Sequence, residues 1–155
     1  MKSKIIWFVG IIVLILSFYF VFNFSFAKVD GNSMKPLLSN KDVVLYKKTN
    51  HKLKRFDIII FKLNNELFIK RVIGLPGENI EYIDNKLYVN GKYVLESFEN
   101  SITKDLKLEN IIPSQNIPKD KYLVLGDNRL YSYDSRDFGV IDINDIVGIF
   151  IIKIF

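Results

Sequence analysis

The chain has 155 residues, 49% of them hydrophobic, with no cysteine and a single histidine, His51. That length suits one compact domain, while the missing cysteines exclude disulfide frameworks, thiol nucleophiles and thiolate metal sites, and one histidine excludes a multi-histidine zinc site. The formal charge of +5 comes from a lysine-rich composition with no helix-turn-helix, zinc-finger or aromatic RNA-binding pattern, so nucleic acid is not an expected partner.

Residues 5–22 form an apolar run broken only by Gly10 and Ser17, and Phe24 and Phe26 extend it. About 20 helical residues cross a hydrocarbon core of about 30 Å, and a run with no polar face does not suit a buried core helix. The rival is a cleaved signal peptide, since Ser25-Phe26-Ala27 is a small-x-small site after a basic start. Signal-peptide cores are shorter, so a retained anchor is expected. Lys2 and Lys4 precede the run and Lys28, Lys35 and Lys41 follow it, so nearby charge does not set the orientation.

Beyond residue 27 the chain reads as strands and hairpins. Residues 43–46, 58–62 and 67–75 are β-branched or aromatic runs. Asp84-Asn85 and Asn90-Gly91 mark consecutive hairpins over residues 80–95. Residues 96–120 are polar, contain Pro113 and Pro118, and read as an irregular excursion. A strand at 122–125 enters the turn Gly126-Asp127-Asn128, and residues 146–155, too short to span a membrane, suit a final buried strand. Basic residues Lys47, Lys48, Lys52, Lys54 and Arg55 suit a solvated loop or, failing that, a surface for anionic lipid. The expected fold class is mostly β, behind one N-terminal transmembrane helix.

The chemistry has to come from serine and lysine. His51 sits in a charged stretch without apolar support and reads as an exposed bystander, not a triad base. Lys70 shares a strand face with Phe68 and Val72. Partial desolvation there lowers an ammonium pKa towards that of a general base, the alternative being a lysine that snorkels to water. Ser33 lies in Gly31-Asn32-Ser33-Met34-Lys35-Pro36, a turn whose amides suit an oxyanion, although most such serines merely cap or solvate. A serine nucleophile needs a base, and a desolvated lysine is one.

Three blocks carry a family resemblance: Gly31-Asn32-Ser33-Met34-Lys35-Pro36-Leu37-Leu38, then Lys70-Arg71-Val72-Ile73-Gly74-Leu75-Pro76-Gly77-Glu78, then Gly126-Asp127-Asn128-Arg129 with Ser132-Tyr133-Asp134-Ser135-Arg136. In this order, behind an apolar anchor, the chain closely resembles bacterial type I signal peptidases, membrane-anchored Ser/Lys proteases. The resemblance implies a β-rich catalytic domain, a Ser33 nucleophile and a Lys70 general base. It implies that Ser132 hydrogen-bonds and orients the lysine amine, that Asp134 and Arg136 form a supporting ion pair, and that Asp127 pairs with Arg71. Val29, Met34, Leu38, Phe68 and Ile69 match positions near the pockets for the substrate's −1 and −3 side chains, or are plain core. No metal or cofactor is implied. Implied partners are secretory preproteins cut after a small-x-small site, membrane lipid and the nearby translocation machinery. The implied place is the cell membrane, crossed once, with residues 1–27 as cytoplasmic tip and anchor and residues 28–155 extracytoplasmic.

This sequence departs from the family pattern at three points. Gly31 stands where some members carry a serine that helps the oxyanion hole, Leu37 replaces a threonine, and Phe56 replaces a glycine in Arg55-Phe56-Asp57-Ile58. Other readings are a self-cleaving Ser/Lys regulator, whose DNA-binding domain is here replaced by the apolar run, a catalytically silent anchored β-domain, and a protein secreted after cleavage at Ala27.

Overall fold

A computed structural model describes residues 2–49 and 53–155, so His51 lies outside the described residues. Helix α1, Lys2–Asn23, is 22 residues long, about 33 Å at 1.5 Å per residue. Its described side chains from Ile6 to Phe22 are exposed all round, and the helix is long and apolar enough to cross a membrane. The helix ends sooner than the apolar pattern suggests. Asn23 Nδ2 folds back to donate to the Tyr19 carbonyl at 2.9 Å, and strand β1, Phe24–Lys28, follows at once. Phe24 and Phe26 therefore do not extend the helix, and residues 24–27, grouped with the anchor on sequence, pair with the sheet. A register from Phe24 opposite Lys47 to Lys28 opposite Val43 satisfies their backbone and turns Ala27 into the core.

The remaining strands are β2 (Val43–Lys48), β3 (Ile58–Leu63), β4 (Glu66–Gly74), β5 (Ile80–Ile83), β6 (Lys86–Val89), β7 (Lys92–Val94), β8 (Leu106–Lys107), β9 (Lys121–Leu125), β10 (Ile141–Asp142) and β11 (Ile146–Lys153), with a one-turn helix α2 at Ser135–Phe138. Among the described residues seven strands form one sheet in the order β1-β2-β11-β3-β4-β9-β10, and four form a second, β7-β6-β5-β8. The pairings are antiparallel. Asp84-Asn85 and Asn90-Gly91 have positive φ throughout, the geometry that tight hairpin turns demand.

Three apolar clusters fill the molecule. One lies under β1 and the loop after it and includes Val29, Met34, Leu38, Val44 and Ile69. A second joins the two sheets through Ile73, Tyr82, Leu108 and Leu123, and a third packs Ile59, Phe61, Val72 and Val124 on the opposite face of the large sheet. The excursion at 96–120 is less irregular than its composition suggests, since β8 pairs with β5 and Leu108 and Ile117 are buried in the second cluster. The last strand is central, between β2 and β11's other neighbour β3, but only its first half is buried; Ile151, Ile152, Ile154 and Phe155 are exposed. β11 outruns β3 there, its last β3 pair being Ile149 with Ile59. The basic cluster is not wholly solvated either. Arg55 pairs with Glu78 and donates to the Ile73 carbonyl at 2.6 Å, and Lys48 Nζ donates to the Val21 carbonyl at 3.0 Å.

Candidate active site

Ser33 lies in the loop that leaves β1. Val29 N–H donates to the Asp42 carbonyl at 2.8 Å and Lys41 N–H to the Val29 carbonyl at 2.9 Å, closing the loop at its base. Met34 and Leu38, 1% and 0% exposed, drive the loop into the first cluster, so Ser33 stands just above a fixed floor. Gly31 has φ +84, a conformation that L side chains rarely adopt, which explains a glycine where a hydroxyl-bearing residue would otherwise serve.

Lys70 comes from the middle of β4, opposite Ile59 of β3. Its Nζ donates to Ser33 Oγ at 2.7 Å and to the Ile69 carbonyl at 3.1 Å. Lys70 is 3% exposed, so it does not snorkel to water. Burial pushes its pKa down from 10.5 to about 8, against the opposing pull of the Asp134 and Asp127 carboxylates. A base near the working pH, in contact with a hydroxyl, is what general-base activation of a serine needs.

Arg71, the next residue on β4, points the other way and makes a bidentate pair with Asp127 at 2.7 and 2.6 Å, both side chains buried. Asp134 receives Arg136 at 2.8 Å through both Nε and Nη2, caps α2, and accepts the Gly126 N–H at 3.0 Å. The hydrogen bond from Ser132 to the lysine amine that the resemblance implies is not made. Lys70 spends its bonds on Ser33 and the Ile69 carbonyl, and Ser132 Oγ is buried without a hydrogen-bond partner among the described residues. It packs instead against Gly126, where an added Cβ would lie 2.2 Å from Ser132 Oγ and 2.5 Å from the Ser33 carbonyl oxygen.

A cavity of about 330 Å³ opens beside the Ser33–Lys70 contact, with Val29, Met34, Phe68 and Ile69 in its wall. Leu38 is not in that wall; it is fully buried beneath it and belongs to the core. Tyr131 and Tyr133 also line the cavity, and Tyr133 is seated by Phe138 at 5.4 Å and Phe68 at 6.3 Å between ring centroids. Sequence reasoning missed these tyrosines and the role of Arg129. The Arg129 guanidinium is 2% exposed and donates to Glu96 Oε1 at 2.6 Å, Thr103 Oγ1 at 2.5 Å, Tyr82 Oη at 3.0 Å and the Gly126 carbonyl at 2.9 Å. Its partners lie 26 to 47 residues away except Gly126, so no local pattern pointed to them.

The family model described as signal peptidase, peptidase S26, matches residues 2–155. The chain belongs to the S26 signal peptidase family. Among similar proteins, signal peptidase I V of Bacillus subtilis (strain 168) is 45% identical over 135 residues, covering 79% of this chain and 80% of that one. Signal peptidase I of Bacillus caldolyticus is 41% identical over 155 residues, covering 92% of this chain and 84% of its own. The crystal structure of a signal peptidase I from Enterococcus faecalis V583 matches with a TM-score of 0.59 at 40% identity, covering 64% of this chain and 97% of that one. The chain is thus a protease whose family activity is removal of N-terminal signal peptides from secretory preproteins, and its apolar N-terminal helix is consistent with membrane anchoring.

Proposed function

We propose that this signal peptidase works through a Ser33–Lys70 dyad and cuts after small-x-small sites. The observation that carries the reading is the 2.7 Å contact between Ser33 Oγ and a buried Lys70 Nζ. With the amine neutral, the bond reverses: the Ser33 O–H donates to the Nζ lone pair and loses its proton as Oγ attacks the scissile carbonyl. The Ser33 N–H faces the developing oxyanion, and Lys70 returns the proton to the leaving amine. A water deprotonated by Lys70 then attacks the acyl-enzyme and restores Ser33. Val29, Met34, Phe68 and Ile69 limit the −1 and −3 side chains to small ones, in keeping with their place in the cavity wall. Arg71–Asp127 and Asp134–Arg136 support the dyad as fixed ion pairs.

The catalytic domain is assigned to the extracytoplasmic side, with the N-terminus cytoplasmic, next to the translocation machinery that delivers preproteins. Membrane lipid is the second partner. Phe26, Leu45 and Ile152 are register partners across β1, β2 and β11 and share one sheet face, with Phe26 and Ile152 exposed. β1 leaves the helix without a loop, so this apolar row starts at the membrane surface.

The test is cleavage of a preprotein bearing an Ala-x-Ala site by the detergent-solubilised chain, with the product identified by mass. Loss of cleavage after the −1 alanine in both Ser33→Ala and Lys70→Ala, with their folds intact, is expected; activity surviving in Ser33→Ala would name another nucleophile. Because the neutral amine is the active form, kcat/KM rises with pH through about 8, by about tenfold between pH 7 and pH 9.

A further inference from the structure

Asn128 lies in the turn after β9 and takes no part in the dyad, yet it grips the nucleophile's backbone from 96 residues away. Its Nδ2 donates to the Asn32 carbonyl at 3.1 Å, and its backbone N–H donates to the Ser33 carbonyl at 3.0 Å. These carbonyls belong to the two peptide units that flank the Ser33 Cα. The Asn32 carbonyl and the Ser33 N–H are opposite ends of one planar unit, so fixing the oxygen fixes the direction of the N–H. Lys35 N–H donates to the same Asn32 oxygen at 3.2 Å, and a carbonyl that accepts two hydrogen bonds makes its own N–H a stronger donor. Among the described residues the Ser33 N–H itself has no acceptor, which leaves it free for a ligand oxygen.

The turn is in turn held from behind. Arg129 Nε donates to the Gly126 carbonyl at 2.9 Å, Ser101 N–H to the Asp127 carbonyl at 3.0 Å, and Tyr131 N–H to the Asn128 carbonyl at 3.0 Å. Gly31 offers no hydroxyl and its φ of +84 disfavours any side chain there, so the Ser33 amide carries the oxyanion load that a residue 31 hydroxyl would share.

We propose that Asn128 is a positioning residue that aims and strengthens the Ser33 amide as the oxyanion donor. This rests on Ser33 being the nucleophile. Asn128→Leu tests it, since that change keeps the backbone donor and nearly the side-chain size and removes the carboxamide, of which Nδ2 makes the bond to the Asn32 carbonyl. Assayed as the full chain in detergent on an Ala-x-Ala preprotein, kcat should fall about tenfold, less than the loss of an oxyanion donor itself, with KM changed by less than about twofold. The acid limb of the pH profile should stay in place, because Lys70 is untouched. Affinity for a peptide boronate that forms a tetrahedral adduct on Ser33 should fall by the same factor as kcat/KM, while affinity for the product peptide holds.

An unchanged kcat and boronate affinity would overturn the proposal, as would a loss explained wholly by a smaller folded fraction or a displaced pH limb. Asn128→Ala gives the same readouts if the leucine variant does not fold. Ser33→Ala is run alongside: cleavage surviving there removes the nucleophile and this proposal together, whereas an inactive Ser33→Ala beside a fully active Asn128→Leu sinks this proposal alone.

Discussion

Lys70 is buried at a cost that pH reveals. Its pKa falls from 10.5 in the unfolded chain to about 8 in the fold, so between those values the unfolded state binds more protons and stability rises with pH. The penalty, about 3 kcal/mol, is fully present below pH 8 and gone above about pH 10.5. Lys70→Met should therefore stabilise the protein by up to about 3 kcal/mol at pH 7 in urea unfolding, and the gain should vanish towards pH 10.5. Gly126 is fixed by space. Its missing side chain lets Ser132 and the Ser33 carbonyl close on the turn, and an added Cβ would meet the carbonyl at 2.5 Å. Gly126→Ala should lower kcat by about a hundredfold or more, because a displacement of about 1 Å at the nucleophile is enough for that. Single-turnover cleavage measures it.

At the scale of elements, β4 does three things with consecutive residues. Ile69 turns into the first cluster, Lys70 reaches Ser33, and Arg71 pairs with Asp127 in the turn after β9. The two-residue period made the face of Lys70 legible in the sequence; which serine it met was not, since Ser33 is 37 residues away. The turn before β3 holds Arg71 from the other side. Phe56 has φ +71 in place of the family glycine, its carbonyl accepts Arg71 Nη1 at 3.1 Å, and its ring meets Phe98 edge-on at 5.2 Å. Phe98 in turn covers the Arg71 guanidinium at 3.9 Å. The backbone strain costs about 1–2 kcal/mol, and the half-buried ring with its aromatic partner contributes about 2–3 kcal/mol. Packing wins, so Phe56→Gly should destabilise by about 1 kcal/mol by equilibrium unfolding, even though it restores the freer residue. Asp127→Asn should cost more, about 3–5 kcal/mol, because it strands a buried guanidinium.

For the whole molecule, the junction of helix α1 and the large sheet matters most. Because β1 starts at Phe24 and pairs with β2 over five residues, the last turn of α1 runs straight into the large sheet. A chain starting at Asn23 should keep cooperative unfolding and its midpoint. One starting at Lys28 should lose about 3 kcal/mol, since the β1 ladder goes and Val44 and Tyr46 lose part of their cover. Circular dichroism of both in urea distinguishes them.

The sequence by itself determined the long apolar N-terminal helix, the β-rich class and the hairpin turns, and it pointed to the candidate nucleophile and base. Those features are written in local periodicity, turn chemistry and the residue types that proton transfer requires. Only the tertiary structure decided that β1 begins at Phe24, that Leu38 is core and not cavity wall, and that Ser132 packs on Gly126 without a bond to Lys70. It also brought Asn128 to the Ser33 backbone and Arg129 to Glu96, Thr103 and Tyr82. These are pairings between segments far apart in the chain, set by strand order and burial, and no spacing within one segment encodes which distant partner satisfies a polar group.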